Sequence, residues 1–165
     1  MSATIRFANL YTYTSDATDV RLPLSALPNG AGHIHGRLEI IISDKALPSL
    51  GYFGADDVCL NTWTYELRAV VDALDDNEEA RYTFDEGEQG QPAYQFVREG
   101  EVLYVSVVDS ILSGAPGNPS FQQVSCTWDA FREATAGYLR ALRHKLDCEV
   151  PDFAGAWFRE CASAA

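Results

Sequence analysis

The sequence predicts an α+β fold, with an antiparallel sheet of about five to six strands and two main helices packed on one face. Two observations carry this. Segments with period-two apolar spacing follow one another through hairpin-length links, which is the pattern of antiparallel pairing. Two longer windows, beginning near residues 60 and 128, instead place apolar residues at helical spacing. The 165 residues fit a single domain, 1–165.

The first strand is predicted over residues 3–8, where Ile5 and Phe7 share a face. Residues 14–33 are rich in Ser, Asp, Pro, Asn and Gly and read as turn chemistry. Over 35–43, Leu38, Ile40 and Ile42 alternate with Arg37 and Glu39, as in a half-buried strand. A Pro- and Gly-containing connection leads to a helix over 60–75, with Leu60, Trp63, Leu67, Val70 and Leu74 on one stripe. Asn61 or the preceding Ala-Asp-Asp run is expected to cap it. The helix ends in acid, with Asp75 and Asp76 set against the macrodipole and no visible compensation.

Strands follow at "ARYTF", "AYQFV" and "EVLYVSVV", the last apolar on both faces and therefore central. "REGE" (98–101) is the turn of a hairpin between the last two. The run "FDEGEQGQP" (84–92) connects the first two, with Pro92 where the next strand begins. A further strand is expected over 121–126. A helix then runs from a Thr127 cap to about Leu146, burying Phe131, Ala134, Tyr138, Leu142 and Leu146. The remaining tail tucks Phe153 and Trp157 onto the body.

Charge is the most pointed functional signal. The net charge is −12, from 24 acids and 12 bases. Residues 72–101 hold ten acids and two bases, a net −8, so two-thirds of the excess lies in 30 residues. A surface this negative repels phosphates and anionic membranes, so neither nucleic acid nor membrane is an expected partner, whereas a basic protein is. The amino terminus shows no secretory pattern, and no apolar run approaches a membrane span. The four cysteines lack C-x-x-C spacing and are read as free thiols of a cytoplasmic protein.

Chemical motifs are sparse. There is no nucleophile elbow, phosphate loop or dinucleotide turn, and the acidic runs do not fit a calcium loop. His33 and His35 share a strand face, as metal ligands could, but no third ligand is placed by spacing; the two histidines are read as solvent-facing. No catalytic residue, metal or cofactor is assigned.

The stretch from Trp63 to Trp157 resembles small cytoplasmic immunity proteins of bacterial polymorphic-toxin loci and uncharacterised bacterial domains encoded beside them. The resemblance is carried by "W-x-x-E-L" at Trp63–Leu67, "Y-T-F" at Tyr82–Phe84 and "GQPAYQF" at Gly90–Phe96. "VSVVDS" at Val105–Ser110 and the helix holding Phe131 and Leu142 complete it. It implies a non-enzymatic inhibitor that occludes a cognate toxin domain, often a basic one acting on nucleic acid. The expected toxin-binding residues are Asp75, Asp76, Glu78, Glu79, Asp85, Glu86 and Glu88, with Trp128 and Trp157, at element edges, as aromatic anchors. The alternatives are an acidic binding or scaffold module outside toxin systems, and an enzyme whose site has no recognisable motif.

Overall fold

The computed structural model describes residues 1–13, 20–29, 32–87 and 90–163. It is an α+β fold, but its strands divide into two antiparallel sheets rather than one. The first sheet contains β1 (Ala3–Tyr13), β2 (Arg21–Leu22), β3 (His35–Ile42), β4 (Lys45–Ala46) and β5 (Val58–Cys59). Its order is β2-β1-β3-β4, with β5 also paired to β3. The second is a meander of β6 (Glu79–Phe84), β7 (Ala93–Glu99), β8 (Val102–Val108) and β9 (Val124–Thr127), in that order. The division into two sheets is hidden in the sequence because β2, β4 and β5 have two residues each, too few to show a period. Ser43 links the sheets by donating its hydroxyl to the Ser125 carbonyl at 2.6 Å.

Three helices cover the apolar faces: α1 (Leu60–Asp75), α2 (Trp128–Glu149) and α3 (Pro151–Ser163). The stripe predicted for α1 is buried at every position named, and α2 buries Phe131, Tyr138, Leu142 and Leu146. Thr127 caps α2 as expected, its hydroxyl accepting from the Ala130 N–H at 3.3 Å. The tail forms the whole of α3, opening on a proline where an N–H is dispensable.

The pleat of the second sheet explains the sequence pattern. Phe84, Tyr94 and Val107 stand in one cross-strand row, and Tyr82, Phe96, Val105 and Val124 in the next. These rows face the helices. Thr83, Gln95 and Ser106 form a row on the opposite face, which is polar. Among the described residues, strand β6 is an edge, paired only with β7.

In the first sheet, β1 pairs with β3 in regular register from Ala3 to Ala8, then slips before Tyr11 meets His35. Asn9, at φ 52°, marks this bulge. The extra residue reverses parity, so Tyr11 stands on the face opposite Ile5 and Phe7. Gly36 makes the close approach possible: a Cβ there would lie 2.9 Å from the Ala8 carbonyl oxygen.

No helix among the described residues is long and apolar enough to cross a membrane.

Candidate functional site

The predicted acidic residues separate into two groups with different fates. Asp75 is held inside the fold's own network. It pairs with Arg132 of α2 at 3.2 Å and accepts from the Trp128 indole N–H at 3.4 Å. Asp85 is held similarly. Its carboxylate accepts from the Ser110 hydroxyl at 2.7 Å and from the Ile111 and Leu112 N–H groups at 2.9 and 3.4 Å. Desolvation works to raise the Asp85 carboxyl, but these bonds outweigh it and hold it below the usual aspartate range. Glu86, exposed at the same end of β6, meets the Thr62 hydroxyl at 3.5 Å. Glu88 lies outside the described residues.

Asp76, Glu78 and Glu79 are exposed, and their carboxylates make no ion pair among the described residues. Glu79 stands directly opposite Glu99 in the β6–β7 ladder. Glu101, exposed in the β7–β8 turn, adds a fifth carboxylate to this corner. Like charges facing one another across a ladder are destabilising. The corner is separated from Asp85 and Glu86 by the length of β6, about 17 Å at strand rise.

The acidic end of α1 does have a compensating cation. Arg98 of β7 is buried and sends its guanidinium into the helix C-terminus, donating to the Leu74 and Asp75 carbonyls at 2.7 and 2.8 Å. It also donates to the Gly100 carbonyl at 2.9 Å and stacks over the Trp128 ring. The cation comes from another strand, so local sequence could not reveal it. Because Arg98 is turned inward, it leaves the outer carboxylates unneutralised.

The two tryptophans proposed as interface anchors are core residues. Trp128 is 1% exposed and Trp157 0%. Trp128 packs against Phe131 and under Arg98, and Trp157 against Phe158. Trp128 opens α2 but is covered by Arg98, and Trp157 lies midway along α3, which packs against α1 and α2.

At the opposite end of α1 the fold assembles a group that the sequence only half showed. Cys59, the residue before α1, is paired in register with His35, and His35 with Tyr11. Directly opposed residues share a sheet face, so the three side chains stand in one row. His33, two residues ahead of His35, stacks on it with ring centroids 6.5 Å apart. Asp57, two residues before Cys59, accepts from the Tyr11 and Tyr13 hydroxyls at 2.7 and 3.0 Å, and lies 2.8 Å from the His35 Nδ1. The reading of His33 and His35 as solvent-facing is therefore corrected for His35, which is half-buried. Asn61 does not cap α1. It accepts from the Ile34 N–H at 2.9 Å and donates to the Gly32 carbonyl at 3.2 Å, fastening this segment to the helix.

Burial would raise the Cys59 thiol, but hydrogen bonding to the His33 ring and to Thr62 outweighs it and holds the thiol below its usual range. The same bond to Cys59 raises His33 against its own burial. Burial lowers His35 despite the neighbouring Asp57. His33 and Cys59 line a cleft of about 660 Å³ that also includes Thr62, Tyr65, Glu66 and Tyr82. Within it, burial holds the Glu66 carboxyl above its usual range, although the Tyr82 hydroxyl donates to it at 2.7 Å. The cleft thus brings together a thiol, an imidazole and a carboxyl.

Comparison with protein-family models, with curated proteins and with solved structures finds no match for the chain.

Proposed function

We propose that the chain is a non-enzymatic immunity protein that binds and neutralises a cognate bacterial toxin domain, a basic one acting on nucleic acid. The observation that carries this reading is the corner formed by Asp76, Glu78, Glu79, Glu99 and Glu101. Five exposed carboxylates meet there without an ion pair among the described residues, and two of them directly oppose each other across a ladder. A fold that neutralises Asp75 with Arg132 and caps α1 with Arg98 has cations within reach, yet leaves these five to the outside. Such a corner attracts a cationic surface and speeds its encounter. The resemblance over Trp63–Trp157 points to the same class of partner, and it would act in the cytoplasm.

Binding through this corner revises the expected surface. Asp75 and Asp85 serve the fold, while Glu99 and Glu101 join the binding group. The test is co-expression with the toxin domain encoded beside the gene, followed by stopped-flow association of the purified pair. Growth rescue is expected. Replacing Glu78, Glu79 and Glu99 together by Lys should slow association by about 10-fold or more at low salt and flatten its salt dependence. Toxicity undiminished by the wild-type chain would remove the reading. Unchanged rates in the triple variant would move the interface away from this corner.

A further inference from the structure

We propose that His33, His35 and Cys59 form a binding site for a divalent transition metal of the zinc class, with Asp57 positioning His35. One ligand atom from each of the three residues lies within 4.8 Å of the other two. Zinc bonds of about 2.0–2.1 Å to nitrogen and 2.3 Å to sulfur place tetrahedral ligand atoms about 3.3–3.6 Å apart. Binding would draw these atoms together from within the 4.8 Å they already span. Two imidazoles and a thiolate also select by chemistry: they suit zinc and its neighbours and reject magnesium and calcium, which take oxygen.

The surroundings of the three ligands make the stronger argument. A metal-binding histidine characteristically donates its second ring N–H to a carboxylate, which fixes the tautomer and the ring's direction. His35 has this partner in Asp57, 2.8 Å from Nδ1, leaving Nε2 as the nitrogen for a metal. Asp57 is itself held by two hydroxyls, from Tyr11 and Tyr13. Tyr11 reaches it only because the bulge at Asn9 turns it to the face of His35. A simple hydrogen bond between His33 and Cys59 would require none of this around His35. Three protein ligands leave a fourth position, and His33 and Cys59 stand in the wall of the cleft. Water or a small anionic ligand entering there would complete a tetrahedron.

A second cysteine–histidine pair provides the control. Cys148 Sγ and His144 Nε2 lie 3.8 Å apart on the exposed side of α2, one helical turn from each other. Two exposed ligands of that kind can capture metal adventitiously.

The experiment uses the full chain, stripped with a chelator and titrated with Zn²⁺ against a competing chromophoric chelator, and separately with Co²⁺. One equivalent of Zn²⁺ is expected, along with the visible bands of tetrahedral Co²⁺ and a thiolate-to-cobalt band in the near ultraviolet. Cys59→Ser should abolish the thiolate band, and Cys148→Ser should leave it intact. Asp57→Asn should weaken Zn²⁺ binding by about 10- to 100-fold. Because Asp57 also anchors two tyrosines, Tyr13→Phe, which removes one of those bonds, serves as a milder variant and should weaken binding in the same direction. Absence of stoichiometric binding in the wild type, or binding lost in Cys148→Ser and kept in Cys59→Ser, would overturn the site. Unchanged affinity in both Asp57→Asn and Tyr13→Phe would overturn the role of Asp57.

Discussion

The two ends of helix α1 treat charge in opposite ways. At the N-terminus, polar groups converge until each has a partner: Asp57 with two tyrosines and His35, Cys59 with His33, and Asn61 with the backbone at residues 32 and 34. At the C-terminus one buried arginine takes the helix carbonyls, Asp75 pairs with Arg132, and Asp76, Glu78, Glu79, Glu99 and Glu101 are turned outward without ion pairs among the described residues. Converging groups suit a small, multiply bonded ligand. Diverging charges suit a large partner that brings its own cations. A polar residue's function thus follows from whether the fold has already used its bonding capacity.

The comparison can be broken most severely at Arg98. Arg98→Ala should destabilise the protein by about 3 kcal/mol in urea unfolding, because three carbonyls lose their donor and Trp128 loses its cover. A loss below about 1 kcal/mol would mean that the α1 terminus does not depend on this cation.

A smaller effect is expected at Asp85, the acidic residue held by the 110–112 loop. Asp85→Asn should cost about 1–2 kcal/mol at neutral pH through weakened bonds to Ser110 and the 111–112 backbone. The folded-state pKa is depressed, so this stability is present above the ordinary value of 3.8 and disappears as pH falls through the lower folded value. The gap between wild type and variant should therefore close in acid. A gap that stays constant with pH would show that the ionised form is not what the loop requires.

The smallest effect has the opposite sign. Glu79→Lys replaces a like-charge pair with an attractive one opposite Glu99, and should stabilise the fold by about 0.2–1 kcal/mol in low salt. It should also weaken binding to a cationic partner. A destabilised variant would mean that Glu79 has a favourable role in the fold.

Much of the architecture could be read from the sequence. The α1 stripe from Leu60 to Leu74, the β6–β8 meander and the Thr127 cap depend on spacing within a few residues, which sequence displays directly. What could not be read depends on pairing between distant segments. His33 and His35 were visible as a pair on one face, but Cys59 lies 24 residues beyond His35 and arrives through a two-residue strand. Arg98 is one of two bases in an acidic segment, and nothing in its local sequence shows that it reaches the end of α1. Asp85 reads as an available charge in the sequence, and the Ser110 hydroxyl and the 111–112 N–H groups that bind it come from a segment 25 residues away. Trp128 is core because Arg98 of β7 covers it and Asp75 of α1 accepts its N–H, and Trp157 because the tail forms a helix, α3, with this residue at its middle.

Strand β6 is an edge strand, paired with β7 alone among the described residues. Unguarded edges of this kind allow identical molecules to zip together. Here an antiparallel pairing of two copies would bring the carboxylates at Glu78 and Glu79 of each toward the Asp85–Glu86 end of the other. Every such approach is acid against acid. Raising the salt from 0.01 to 1 M shortens the reach of that repulsion from about 30 Å to about 3 Å. If the corner receives a cationic partner as proposed, the same charge opposes the pairing of two copies along β6, and opposes it most in dilute buffer.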